Sequence, residues 1–221
     1  MAIQFIMPGK VIMGERALDE AAGLLKELGT KALIVTDRVM AELGNVKILE
    51  EVLEREGLQY TVYDGVFGEP TDHMVEAGTG LYKTAGCDFL IALGGGSALD
   101  TAKCTVIMGA NQHIVRYADT FDEVEVNGMM LTLIPTTVGT GSEVTDGAVF
   151  SIPEENRKAT VWGRNTGVDL ALIDPELALG LPPSITASTG MDALAHAVEA
   201  YTSPMATYMS DMMAEKAINL I

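Results

Sequence analysis

Apolar residues fall into two rhythms along this chain. KALIVTD (31–37), LQYTVYDGV (58–66) and MMLTLIPTT (129–137) are short apolar runs that read as strands. ILEEVLEREG (48–57) and TDHMVEAGTGLYKTAG (71–86) have helical periodicity. The first of these stops at Gly57; the second is capped by Thr71 or Asp72 and closed by Gly86. CDFLIALGGGSALDTAKCTVIM (87–108) runs strand, glycine turn, helix. Strands alternating with helices predict an α/β fold whose parallel sheet is covered on both faces.

The rhythm then changes. GAVFSI (147–152), KATVWG (158–163) and LALIDP (170–175) are strand-like, with no helix between them. LPPSITAS breaks the chain, and from about Ser184 everything reads helical. The division is therefore 1–183 as one α/β unit and 184–221 as the start of an all-helical one. The second unit has a helix at about 188–202 and the start of another in MATYMSDMMAEKAINLI (205–221), where Met209, Met212, Met213, Ala217 and Leu220 form an apolar face. Nothing further along covers that face, so the chain reads as truncated.

Composition narrows the classes of function. The 221 residues are 48% hydrophobic and 20% charged, enough for a packed core. A formal net charge of −17 argues against nucleic acid held on a basic surface and against docking on anionic lipid. Cys87 and Cys104 offer no disulfide framework and read as buried thiols. Lys10 and Glu15 come too early for a signal peptide, and no segment has the apolar length of a membrane span. The expected compartment is the cytoplasm.

Five places carry chemistry. In GGGSALD, Gly94, Gly95 and Gly96 lead from a strand into a helix. Without Cβ atoms the backbone can approach a phosphate, and the helix N-terminus supplies donors and partial positive charge. Ser97 can cap the helix or donate to the same phosphate. A tight strand-to-helix turn is the plainer reading, but three consecutive glycines exceed what a turn needs. Asp37 ends a strand, where ligands of open α/β sheets gather; its carboxylate suits ribose hydroxyls and repels a 2′-phosphate, though it serves equally well as a helix cap. In IPTTVGTGSEVT, Thr136, Thr137, Thr140 and Ser142 supply hydroxyls and Gly139 and Gly141 supply backbone access. Lys158 can neutralise a phosphate or hold a ribose oxygen, or be an ordinary surface lysine. Asp192 and His196, four apart on a helix, share one face as a metal pair does, with Glu199 a further turn along. Two donors fall short of a tetrahedral set, and Thr189 to Asp192 also fits a capping box.

In order, GGGSALDTAK, IPTTVGTGSEVT, LIDPEL and LPPSITASTGMDALAHAVEAYTS resemble the iron-dependent (group III) alcohol dehydrogenases. The resemblance extends over essentially the whole chain, LIVTD and PGKVIMGERAL included. It implies an N-terminal domain that binds NAD(P) and a helical domain that holds Fe²⁺, with Zn²⁺ as a competitor. Asp37 matches the NAD-selecting position, Gly96 and Ser97 the pyrophosphate turn, and Asp100 the acid of the glycine motif. Thr136, Thr137, Thr140 and Ser142 match the second coenzyme loop, Lys158 the coenzyme-contacting lysine, and Asp192 and His196 the first two of four metal ligands. The other two are histidines later in the family's sequence; neither His73 nor His113 matches them. Glu69 stands before Pro70 where many members have Asn, and Val168 replaces a frequent proline. The implied reaction passes hydride between a small alcohol or aldehyde and NAD. The family usually dimerises through N-terminal strands, here within IQFIMPGKVIM (3–13). A non-catalytic nucleotide-binding or oligomerisation fragment, and a glycerol dehydrogenase-like enzyme, stay open as alternatives.

Overall fold

A computed structural model describes residues 7–110, 113–120, 128–162 and 167–221. Ile3–Ile6 of the expected N-terminal strand and Gly163 lie outside the described residues. In chain order the regular elements are β1 (Lys10–Met13), α1 (Ala17–Glu20), α2 (Ala22–Leu25), β2 (Lys31–Asp37), α3 (Arg38–Glu42), α4 (Asn45–Arg55), β3 (Gln59–Val66), α5 (Asp72–Ala85), β4 (Phe89–Gly94), α6 (Gly96–Ala110), β5 (Met130–Pro135), β6 (Gly147–Ile152), β7 (Arg157–Trp162), β8 (Leu170–Ile173), α7 (Pro183–Thr202) and α8 (Tyr208–Leu220).

Six strands form one sheet in the order β1-β8-β5-β4-β2-β3. Every neighbouring pair is parallel. Pleating sends successive side chains to opposite faces, and both faces are buried. Ile34, Ile91, Leu93 and Leu172 meet Leu18, Leu25, Leu49 and Leu53 of α1, α2 and α4 on one side. Leu33, Val35, Leu90 and Leu133 meet Met74, Leu99 and Val106 of α5 and α6 on the other. Burial on both sides is why these strands read as unbroken apolar runs rather than alternating ones.

The three strand-like segments after 147 divide. β6 and β7 pair antiparallel as a separate two-stranded sheet, in register from Gly147 opposite Trp162 to Ile152 opposite Arg157. Phe150, Ala159 and Val161 bury one face of that hairpin against Cys104 and Ile107 of α6. β8 instead returns to the main sheet between β5 and β1. Cys87 and Cys104 are free and buried, as expected.

One expectation needs correction. α7 begins at Pro183, not near 188, because Pro183 occupies the first helical turn, where a missing N–H costs nothing. The apolar face of α8 is uncovered, as expected: Met212, Met213 and Leu220 are exposed, and Ala214 is that helix's buried residue. No described helix is long and apolar enough to cross a membrane.

Candidate functional site

The carboxyl ends of β2, β4 and β5 converge on the glycine turn. Gly94 closes β4 at φ 153°, a backbone state that side chains disfavour, and a Cβ there would lie 2.9 Å from the Ala98 methyl. At Gly96 a Cβ would fall 2.6 Å from Thr140 Cγ2, and at Gly95 3.1 Å from Thr137 Cγ2. The two glycines are therefore pressed against the second loop, and only a side-chain-free turn lets the loops approach. α6 starts at Gly96, so the turn ends in the first N–H groups of a 15-residue helix, which lack intrahelical partners.

Two cavities flank this turn, and Ser97 lines both. The larger, about 780 Å³, is bordered by Asp37, Gly95, Thr136 and Thr137, with Phe67 and Ile185 on its apolar side. The smaller, about 280 Å³, is bordered by Glu69, Gly96, Asp100, Thr140, Ser151 and Lys158. The turn is a saddle between an apolar-walled cleft and a polar one.

The individual side chains are placed as follows. Asp37 caps α3, its Oδ1 accepting from the Met40 N–H at 3.0 Å. Its Oδ2 faces Gly94 at the cleft, so capping and ligand contact are compatible in one carboxylate. Thr136 is fully buried and directs its hydroxyl to Met40 Sδ at 3.2 Å. Ser142 is also buried and turned inward, donating to Asp100 Oδ1 at 2.6 Å. Asp100 Oδ2 accepts from the Val149 N–H at 3.0 Å. Both its oxygens hold the second loop and β6, and burial pushes its carboxyl up against the opposing pull of these hydrogen bonds and of Lys103.

Lys103 is a residue for which sequence reading found no role, although it closes the quoted GGGSALDTAK. It is fully buried, and its ammonium donates to the Ser142 carbonyl, to the Thr145 carbonyl at 2.9 Å and hydroxyl at 3.0 Å, and to the Gly147 carbonyl at 2.9 Å. Burial draws its pKa down and Asp100 pulls it back up. Its spacing of three from Asp100 on α6 was the available signal, since it puts both charges on the face toward the loop. Glu143, in the same loop, has its carboxyl raised by burial, against the pull of its own backbone N–H and of Lys103.

Asp192 and His196 lie on α7 with Oδ1 and Nε2 3.7 Å apart, both partly exposed. Their chemistry and shared face suit two donors to one cation. Among the described residues no third His, Cys, Asp or Glu donor atom lies with this pair, so Glu199 does not join it. This pair and the second loop are adjacent: a Cβ on Gly139 would sit 2.7 Å from the Thr189 carbonyl oxygen and 2.8 Å from Asp192 Oδ2. His73 bonds Glu154 at 2.8 Å, and His113 lies 3.5 Å from Glu76. Both are away from α7.

The family described as iron-containing alcohol dehydrogenase matches residues 8–175, and the C-terminal part of the Fe-containing alcohol dehydrogenase family matches 186–221. Lactaldehyde reductase of Escherichia coli (strain K12) is 35% identical over 224 residues, covering 100% of this chain and 59% of its own length. The NAD-dependent methanol dehydrogenase of Bacillus methanolicus is 35% identical over 218 residues, covering 98% of this chain and 57% of its own length. A crystal structure of a 1,3-propanediol oxidoreductase superposes with a TM-score of 0.94 at 32% identity, over 100% of this chain and 58% of that one. A sulfoacetaldehyde reductase from Bifidobacterium kashiwanohense in complex with NAD+ superposes with a TM-score of 0.92 at 29% identity, over 100% of this chain and 58% of that one. The chain thus spans little more than half the length of these relatives. With both family models matched in order, over 8–175 and 186–221, the chain belongs to the iron-containing alcohol dehydrogenase family.

Proposed function

We propose that this chain carries the NAD-binding part of an alcohol dehydrogenase or aldehyde reductase, together with two donors of its metal site. The observation that carries the reading is the saddle of Gly95, Gly96 and Ser97 between two cavities at the carboxyl edge of a parallel sheet. A dinucleotide is two nucleosides joined by a diphosphate, and this is two clefts joined by a helix N-terminus. The Cβ positions of Gly95 and Gly96 are taken up by Thr137 and Thr140, and a diphosphate would lie on the N–H groups of the turn and of the helix start.

In this reading the amides at the start of α6 take the diphosphate. Asp37 Oδ2 accepts from the ribose hydroxyls of the larger cleft and disfavours a 2′-phosphate there. Thr137 and Thr140 border the path on the other side. Asp100, Ser142 and Lys103 hold the second loop at its distance rather than touching the coenzyme. Asp192 and His196 offer a carboxylate and an imidazole to a divalent ion, Fe²⁺ with Zn²⁺ as competitor. When bound, the coenzyme supplies the hydride chemistry and the ion supplies Lewis acidity toward an alcohol oxygen. Gly139 brings the coenzyme loop against Asp192, so the two sites share a wall. The same reading assigns 1–183 to the coenzyme-binding unit and 184–221 to the start of the metal-binding unit. It also includes homodimer formation: β1 is an edge of the sheet among the described residues, and edges favour a partner.

The test is calorimetric titration of the purified chain with NAD+, compared with Gly96→Ala. The wild type is expected to bind saturably. The variant is expected to lose roughly tenfold or more in affinity, about 1.4 kcal/mol, and to melt a few degrees lower, because the added methyl falls 2.6 Å from Thr140 Cγ2. Equal affinity in the variant, or no binding to either protein, would overturn the reading.

A further inference from the structure

The polar cavity holds an ion pair whose carboxylate the coenzyme reading leaves unused. Glu69 Oε1 meets Lys158 Nζ at 2.5 Å, and Ser151 Oγ donates to Glu69 Oε2 at 3.3 Å. All three residues line the cavity with Gly96, Ser97 and Asp100. Lys158 is the single cationic side chain among the described lining residues.

The arrangement is framed by backbone. The Ser151 N–H donates to the Pro70 carbonyl at 2.7 Å, and Thr71 bridges Ser151 in parallel. Across the hairpin, Ser151 stands opposite Lys158. Glu69 is thus tied, one residue away, to the strand that neighbours its cation. The lysine beside Glu69 holds its carboxyl below the usual carboxylate range, so it stays ionised at neutral pH.

Two negative side chains and one positive one are a poor reception for a polyanion. If the pair persists, Lys158 has no charge to offer a phosphate and Glu69 repels it. Both partners are more than half exposed, with side-chain exposures of 62% and 58%. Such a pair is weak and screened by solvent, so an incoming anion can displace it. We propose that Glu69 is an internal competitor for Lys158: the carboxylate occupies the ammonium that a bound diphosphate or ribose would use, and so sets the affinity of the site for its anionic ligand. The inference rests on the reading of this cleft as the coenzyme site and adds a residue that lowers its affinity.

The experiment is a double-mutant cycle read by calorimetry, with NAD+ and inorganic pyrophosphate as probes, on wild type, Glu69→Gln, Lys158→Met and the double variant. Glu69→Gln is expected to bind both probes roughly three- to tenfold more tightly, the gain shrinking at high salt. In the Lys158→Met background the same substitution is expected to give a clearly smaller gain, what is left being relief of direct repulsion. Both residues are exposed, so the variants should melt with the wild type. If Glu69→Gln gains nothing while wild type binds NAD+ saturably, the competitor role falls and the coenzyme site stands. An equal gain without Lys158 would also overturn it, because simple removal of negative charge would then explain the whole effect. Failure of the wild type to bind NAD+ would overturn both readings.

Discussion

Single side chains here do more than one task, and Asp88 shows how far the chemistry of one group can be followed. Its carboxylate accepts from the Thr30 N–H at 2.9 Å, the Thr30 hydroxyl at 2.6 Å and the Lys31 N–H at 2.8 Å, pinning the start of β2 to the start of β4. Burial acts to raise its pKa, but these hydrogen bonds prevail and the carboxyl lies below its ordinary value of 3.8. A lowered carboxylate contributes stability above the unfolded pKa and loses it as pH falls through the folded one. Asp88→Asn is therefore expected to be less stable than wild type at neutral pH by about 1 kcal/mol after discounting for solvent exposure, or roughly 2–4 °C in melting temperature. The gap should close as pH drops below about 4. Paired thermal melts from neutral to acidic pH check this; a gap that widens on acidification would contradict it. Lys103 is the opposite case, a charge taken wholly out of water, where four oxygen acceptors and Asp100 replace its hydration.

Pairs of elements define the site more than any one element does. α6 contributes the helix N-terminus, but the loop after β5 shapes what that terminus faces, and α7 presses on the same loop from outside. Gly139 is where loop and α7 touch. An added methyl there has backbone and carboxylate 2.7–2.8 Å away, too close for either to stay in place. Gly139→Ala is expected to cost about 1–3 kcal/mol by overpacking and to weaken NAD+ and divalent-metal binding together, although the methyl touches neither ligand. Melting and two separate titrations would show it. Loss of metal binding alone, with coenzyme affinity unchanged, would argue against a shared wall.

In the molecule as a whole, charge and exposed apolar surface are the features not explained by the core. The net charge of −17 is spread over 31 acidic and 14 basic residues, and several ion pairs are exposed and individually weak. Self-repulsion of this size is screened by salt. The melting temperature is expected to rise by a few degrees, on the order of 1 kcal/mol, between low and physiological ionic strength; a melting temperature that falls with added salt would show that net attraction dominates instead. Tyr201 of α7, Met205 between the two helices, and Tyr208, Met212 and Leu220 of α8 are each more than half exposed.

How much of this was readable beforehand differs from place to place. The strands at 31–37, 89–94 and 130–135 were legible because a doubly covered strand is apolar almost throughout, and that needs no partner to be known; the edge strand at 59–66, half-exposed along most of its length, was legible from its β-branched and aromatic residues. The helix ends at Thr71 and Gly86 were legible because capping is local chemistry. The strand-to-helix turn was legible as a run of glycines, but its reason, the threonines of another loop 2.6–3.1 Å from the missing Cβ atoms, was not. Nor were the pairing of Lys158 with Glu69, 89 positions apart, the inward turn of Ser142, or the split of β6 and β7 from β8. Apolar period and backbone preference act over a few residues and are written into the order of amino acids. Which hydroxyl faces a cleft and which charge meets which depend on contacts between segments far apart in the chain, and those distances exist only once the sheet has brought the segments together.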